Sequence, residues 1–262
     1  MRSTILADVF YKLDINPFFV VALLVFLVPL FFVYLFVIVL AYKLVFAILF
    51  TVLLFLICSI LFYTYFHRDP DRIIDGDENR VLSPADGVVV YVKKVNKGRI
   101  IESVKKKNHM KLTELLGVSD GSVDAADTFG YLIGIELRLL DVHVTRSPVS
   151  GEKLFDHHVS GRIVPMTNPL FEFINDRETV VIKQKCDDAA SLTVGIVQIA
   201  TFITRTVNSF VREKTNISQG ERIGMIRLGS QVDVVLFPSD VNVLVSTGDR
   251  VYAGITSIAE KT

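Results

Sequence analysis

The sequence predicts a mainly β (α+β) protein, in which a flattened β-barrel or sandwich follows an N-terminal pair of apolar helices. Two observations support this prediction. Residues 18–66 are almost entirely aliphatic or aromatic, with Lys43 as the only charged side chain. Residues 67–262 carry short β-branched and aromatic runs between glycine, proline and charged turns, a pattern typical of β-sandwiches and barrels. We therefore divide the chain into a membrane anchor, residues 1–66, and a β domain, residues 67–262.

The apolar block is about twice as long as one membrane crossing requires, since a helix of about 20 residues spans a bilayer. We expect a transmembrane helical hairpin with helices near 17–39 and 43–65, and with Lys43 reaching the far interface. A core hairpin of a soluble protein is the alternative. Basic residues flank both ends of the block, so the positive-inside rule predicts a domain on the cytoplasmic side of the cell (inner) membrane.

The strand patterns of the β domain are strongest at residues 88–92 and 131–139. Further strands are predicted near 160–166, 179–185, 192–201, 223–228, 232–237, 242–245 and 251–258. The glycine-turn pattern of residues 245–256 resembles that of biotinyl/lipoyl-type barrels, but the lysine that would carry biotin or lipoate is missing. This likeness concerns the fold alone.

The composition excludes several classes of function. Positive and negative side chains balance at 28 each, which argues against a nucleic-acid partner, because such proteins usually carry a basic stripe. The two cysteines, Cys58 and Cys186, lie far apart, so neither a disulfide framework nor a metal cluster is expected. No histidine and cysteine spacing typical of a metal site occurs.

Three short motifs carry candidate chemistry. They are Ser-Pro-Ala-Asp-Gly at 83–87, the stretch 141–151 with His143 and Arg146, and Gly229-Ser230 inside a strand pattern. Each has an ordinary explanation by itself: Asp86 is a common turn residue, His143 follows a strand end, and Gly229 suits a β-bulge. Their order along one chain is the informative feature.

Taken together, these motifs resemble the phosphatidylserine decarboxylase family, in its short form. Residues 66–72, 175–179, 197–200 and 227–230 also match family motifs, so the resemblance covers most of the chain. It implies a lyase that cleaves itself between Gly229 and Ser230. Ser230 would thereby become a covalent pyruvoyl cofactor.

The residue types suit that chemistry. A serine hydroxyl can attack the preceding carbonyl, and elimination of the resulting ester followed by hydrolysis yields a pyruvoyl group and ammonia. Glycine at position 229 permits the required backbone approach. The resemblance implies that Asp86 and His143 form the pair that removes the hydroxyl proton, and His143 is also the candidate proton donor in turnover. Arg146 replaces a second histidine of longer members, and its fork suits a carboxylate or phosphate.

The implied reaction is decarboxylation of phosphatidylserine to phosphatidylethanolamine in phospholipid biosynthesis. The mature enzyme would be a heterodimer of its own large chain, residues 1–229, and small chain, residues 230–262, acting on a phospholipid at the membrane; higher oligomers are left open. Two alternatives stand beside this reading. One is a non-enzymatic, membrane-anchored barrel or adaptor module, and the other is a decarboxylase of an ether-linked serine phospholipid.

Overall fold

The computed structural model describes residues 17–96, 99–100, 115–116, 129–162, 164–168, 170–184, 191–200, 207–212, 214–226, 230–237 and 241–262. The chain divides into two compact units, Met1–Tyr63 and Thr64–Thr262. A single long helix, α1, runs from Pro17 to Phe66. The second unit is built mainly from strands, which confirms the predicted mainly β class.

The predicted helical hairpin is not confirmed, because α1 continues without a break through residues 41–43. These residues are Ala, Tyr and Lys, and no glycine or proline interrupts the backbone hydrogen bonds at this point. Pro29 lies inside the helix and does not end it. The helix is long and apolar enough to cross a membrane, and its 50 residues correspond to about 75 Å of length.

Fifteen strands and one further short helix lie among the described residues of the second unit. In chain order they are β1 Arg80–Leu82, β2 Gly87–Asn96, β3 Arg99–Ile100, β4 Gly130–Leu137, β5 Val144–Arg146, β6 Gly151–Val159, α2 Phe171–Ile174, β7 Arg177–Lys183, β8 Thr193–Ala200, β9 Val207–Ser209, β10 Asn216–Ile217, β11 Arg222–Ile226, β12 Ser230–Phe237, β13 Val241–Val243, β14 Arg250–Val251 and β15 Ser257–Lys261.

The strands form one large sheet and two small ones. The large sheet has the order β10-β6-β7-β8-β12-β4-β2-β14, with β3 paired to β2, and its described pairs are antiparallel. The small sheets have the orders β1-β15-β13 and β5-β11-β9. This arrangement does not confirm the expected likeness to biotinyl/lipoyl barrels.

The central strand of the large sheet, β12, is buried along its whole length. Successive side chains of a strand point to opposite faces, and each face of β12 contributes to a different hydrophobic core. Val232 and Val234 belong to the first core, together with Ile223 and Ile226 of β11. Val235 belongs to the second core, on the opposite face. Alternate residues of this one strand therefore point into two separate buried layers.

Candidate functional site

Ser230 is the first residue of β12, which is a central strand of the large sheet. It is paired with Leu137 of β4 on one side and with Ala200 of β8 on the other. The residue is completely buried, and its hydroxyl has no hydrogen-bond partner among the described residues. Most buried hydroxyl groups have such a partner, so this hydroxyl is one of the exceptions among the described residues.

Alternation along β12 fixes the face on which Ser230 lies. Ser230, Val232 and Val234 share one face of the strand. The two valines belong to the same hydrophobic core as Ile223 and Ile226 of β11. The Ser230 side chain therefore points into the layer that the large sheet shares with β11. The other half of the predicted cleavage site, Gly229, lies outside the described residues.

His143 immediately precedes β5 and presents an unprotonated nitrogen. Its Nδ1 lies 2.8 Å from the backbone oxygen of Asp141, and because a carbonyl can only accept, Nδ1 must be the donor. In the neutral ring Nε2 then carries the free lone pair. Nε2 is buried and has no hydrogen-bond partner among the described residues.

The surroundings of His143 favour the neutral ring. Burial lowers the pKa of His143, and the backbone hydrogen bond to Asp141 opposes this shift without cancelling it. The aromatic ring of Phe66 lies on the imidazole, with 4.4 Å between the ring centroids. A buried, neutral histidine with a free Nε2 has the form that a general base requires.

The backbone links His143 to the strand that leads to Ser230. The Ile226 amide donates to the carbonyl of His143 over 3.1 Å, and Ile226 is the last residue of β11. The chain from Ile226 to Ser230 can span at most about 14 Å. The fold therefore brings the histidine and the serine to the same region of the domain.

Asp86 is held by an arginine that the sequence analysis did not single out. The guanidinium of Arg72 donates to both carboxylate oxygens, over 2.6 and 2.8 Å, and the amide of Ala253 donates to Oδ1 over 2.8 Å. The side chains of Arg72 and Asp86 are each only 6% exposed. No hydrogen bond joins Asp86 to His143 among the described contacts, although the charge of Asp86 acts to raise the pKa of His143 against the larger effect of burial.

Arg146 makes several contacts within the protein. It donates to Asp69 over 2.8 Å, to the carbonyl of Pro70 over 3.1 Å and to the carbonyl of Gly220 over 3.1 Å. Its guanidinium is buried. We call residues 67–75, which follow α1, the connector. Arg146 thus ties the connector to the rest of the β domain through Asp69. Its expected role in binding a substrate carboxylate or phosphate stays a prediction.

Gln198 is a site residue that sequence reasoning missed. It is buried and lies opposite Val232 on β8, so its side chain points to the same face as Ser230. Thr145 donates to Oε1 of Gln198 over 2.8 Å, whereas Nε2 has no partner among the described residues. Gly224 lies beside it, and a Cβ there would come within 2.6 Å of Oε1 and within 2.9 Å of the backbone oxygen of Asn208. The match of residues 197–200 to a family motif was the available signal.

A separate polar cluster occupies the other face of β12. The Tyr91 hydroxyl donates to Asp233 over 2.7 Å, and the Gln231 amide donates to Asp233 over 2.6 Å. Burial, and secondly the negative charge of Glu172, raise the pKa of Asp233 to about 7. Because Asp233 and Ser230 point to opposite faces, this cluster lies outside the candidate site.

Known proteins resemble this chain over nearly all of the second unit. A family model, Phosphatidylserine decarboxylase, matches residues 60–259. Putative archaetidylserine decarboxylase proenzymes of Methanocaldococcus jannaschii and Methanothermobacter thermautotrophicus are 40% and 38% identical, over 78% and 76% of this chain and 93% and 81% of theirs. A phosphatidylserine decarboxylase proenzyme of Carboxydothermus hydrogenoformans is 34% identical, over 76% of this chain and 79% of its own. The chain therefore belongs to the phosphatidylserine decarboxylase family and is an enzyme of the carboxy-lyase class.

Proposed function

We propose that this chain cleaves its own Gly229–Ser230 bond and uses the pyruvoyl group formed from Ser230 to decarboxylate a serine phospholipid. One observation carries the proposal. The Ser230 hydroxyl and the Nε2 atom of His143 are both buried and both lack a partner among the described residues. A nucleophile and a base that lie in the same region of a domain can act on one another.

The cleavage can be written with this chain's own residues. Nε2 of His143 takes the hydroxyl proton, the Ser230 oxygen attacks the carbonyl carbon of Gly229, and the C–N bond breaks as the nitrogen regains a proton. Loss of the Cα proton of Ser230 then expels the Gly229 carboxylate and leaves a dehydroalanine. Water hydrolyses the imine tautomer of that residue and releases ammonia. The Nε2 group of Gln198 is the candidate donor to the carbonyl oxygen during attack.

The residues around Ser230 fit a pyruvoyl group. Cleavage would make position 230, at the start of a buried strand, the new N-terminus of the small chain, and the carbonyl of His143 accepts from Ile226, four residues before it. A bound pyruvoyl group supplies an electron sink for the electron pair left by departing carbon dioxide. His143 is our candidate for returning the proton to carbon. Arg146 supports the site through the connector, since its donors are taken by Asp69, Pro70 and Gly220.

The two chains produced by cleavage would stay together as a heterodimer. The small chain, residues 230–262, begins with β12, which pairs with β4 and β8 along almost its full length. Both neighbouring strands belong to the large chain. Removing β12 would expose the two cores on its faces and the hydrogen-bonding edges of both neighbours.

We infer that α1 anchors the enzyme in a membrane and that the β domain lies on the cytoplasmic side. The helix is long and apolar enough for a crossing, and many of its large apolar side chains are exposed. The arginines at positions 68, 72 and 80 follow it directly, as the positive-inside rule requires of a cytoplasmic flank. A phospholipid substrate would then be reached within the same bilayer.

Two substrates share the serine headgroup, and the lipid tails distinguish them. Relatives named as decarboxylases of phosphatidylserine and of archaetidylserine both cover most of this chain. The second candidate substrate is an ether-linked serine lipid. It is supported by the greater identity of this chain to the two archaetidylserine decarboxylase proenzymes. Assaying carbon dioxide release from diacyl and from diether serine lipids in the same detergent would decide between them.

The intact mass of the purified chain under denaturing conditions tests the proposal. We expect two chains divided after Gly229, the smaller one lighter by one ammonia than a peptide that starts with serine. The Ser230→Ala variant should remain uncut, since alanine has no hydroxyl to attack the bond. A single uncut wild-type chain would overturn the proposal and favour the adaptor module.

A further inference from the structure

The turn Arg138–Asp141 presents two adjacent leucines on the surface of the β domain. Leu139 is 49% exposed and Leu140 is 57% exposed. The turn is closed by the Asp141 amide, which donates to the carbonyl of Arg138 over 2.9 Å. The Asp141 carboxylate also accepts a hydrogen bond from the Arg138 amide over 2.8 Å. Turn tips that face water are normally polar, so two adjacent exposed leucines are an unusual composition for this turn.

The same turn lies beside the end of the apolar helix. Arg68 donates to the carbonyl of Tyr65, in the last turn of α1, over 2.9 Å and to the carbonyl of Leu140 over 2.5 Å. One planar guanidinium therefore bridges both segments. The Arg68 guanidinium carbon also lies 3.9 Å from the centroid of the Tyr65 ring. Tyrosine and arginine at the end of an apolar helix are typical of the interface between bilayer and water.

Asp141 connects the leucine turn to His143. Its carboxylate closes the turn and pairs with Arg250, while its backbone oxygen holds Nδ1 of the imidazole. Hydrogen bonds of this one residue therefore join the leucine turn to the histidine. If the leucine turn enters a surface to a fixed depth, His143 then lies at a fixed distance from that surface.

We propose that Leu139 and Leu140 form a wedge that enters the lipid bilayer beside the end of α1 and holds His143 at the level of the phospholipid headgroups. The proposal rests on the proposed function, a membrane-anchored decarboxylase. The occupant of this surface is a bilayer because the wedge is joined through Arg68 to Tyr65, which ends an apolar helix. The reacting serine headgroup lies at the same depth.

The absence of tryptophan from the whole sequence permits a direct test. Leu140→Trp provides a single fluorescent probe on the wedge, and Leu154→Trp, at a similarly exposed leucine of β6 (46% exposed), provides the control. Each full-length variant is placed in phosphatidylcholine vesicles whose acyl chains are brominated near the headgroup or near the chain end. We expect bromine near the headgroup to quench the Leu140→Trp emission strongly and the Leu154→Trp emission weakly. Equal weak quenching, with equal access of aqueous iodide to both probes, would overturn the wedge.

A rate measurement separates this proposal from the proposed function. For Leu139→Asp/Leu140→Asp, the ratio of the rate on bilayer lipid to the rate on a dissolved short-chain serine lipid should fall at least about tenfold, because apolar burial is replaced by charge. Leu154→Asp should keep the wild-type ratio. An unchanged ratio in the double variant would refute the wedge while leaving the decarboxylase intact. A wild-type enzyme that acts on neither lipid would instead refute the proposed function, whatever the quenching shows.

Discussion

The pairing of Arg72 with Asp86 gives the sharpest prediction about the candidate site. Both side chains are 6% exposed, and Arg72 donates to both oxygens of the carboxylate. In Arg72→Ala, the amide of Ala253 is the donor that Asp86 keeps among the described residues. Removing one partner of a buried ion pair leaves an uncompensated charge and costs about 3–5 kcal/mol. We expect the free energy of unfolding to fall by that amount.

The matched control is an exposed ion pair of the same domain. Arg80 contacts Asp75, with 45% and 70% of their side chains exposed, and such pairs contribute about 0–1 kcal/mol. Unfolding of each full-length variant in detergent micelles can be followed by the near-ultraviolet circular dichroism of tyrosine. Arg80→Ala should remain within about 1 kcal/mol of the wild type.

Self-cleavage of the same variants tests what Asp86 does. If Asp86 acts from the position in which Arg72 holds it, Arg72→Ala and Asp86→Ala should both slow the appearance of the small chain, and Arg72→Lys should retain part of the rate. Unfolding of Arg72→Ala at the wild-type denaturant concentration would refute the buried pair. A destabilised Arg72→Ala that cleaves at the wild-type rate would refute the need for a held Asp86.

Three further predictions concern titration and the donor. The pKa of Asp233 in the folded protein is about 7, which is above its value in the unfolded chain, so the folded state favours the protonated carboxyl. The free energy of unfolding should therefore include the full contribution of Asp233 below about pH 4 and should fall by roughly 4 kcal/mol as the pH rises to 7. Asp233→Asn should lose this fall in unfolding experiments between those pH values. Since burial lowers the pKa of His143 below 6.5, self-cleavage should hold its full rate at pH 7 and decline only below about pH 6.5; a decline that begins above pH 7 contradicts a neutral base. Gln198→Glu keeps the side-chain shape without the Nε2 donor, so self-cleavage timed by mass spectrometry should slow about 100-fold, whereas a wild-type rate would exclude Gln198 as the donor.

The sequence predicted the strands of the β domain better than it predicted the N-terminal apolar helix α1. Residues 131–139 and 232–237 were expected as strands, and β4 and β12 cover nearly the same residues. Periodicity and β-branched runs are local signals, so they survive in the folded chain. The hairpin was inferred from the thickness of a bilayer, which is a property of the surroundings and not of the sequence. No residue at 41–43 encodes a break.

The partners of the site residues were less predictable than the residues themselves. Within the described part of the chain, the Ser230 hydroxyl and Nε2 of His143 lack a hydrogen-bond partner, as their expected roles require, but those roles remain predictions. Asp86 is buried, and its sequence does not say which basic residue pairs with it. The folded connector places Arg72 against its carboxylate. The group that orients His143 is the backbone carbonyl of Asp141. Every residue has a carbonyl, so this contact leaves no mark in the sequence.

The small chain would help to hold both acidic residues of the site after cleavage. The amide of Ala253 donates to Asp86, and Arg250 pairs with Asp141; Ala253 and Arg250 both follow Ser230 in the chain. The proposed cut would break one peptide bond, and none of these contacts involves that bond. Cleavage would therefore change the covalent state of Ser230 while the carbonyl of Asp141 stays available to His143. On the proposed function, a base oriented for self-cleavage in this way would keep its orientation for the turnover of lipid.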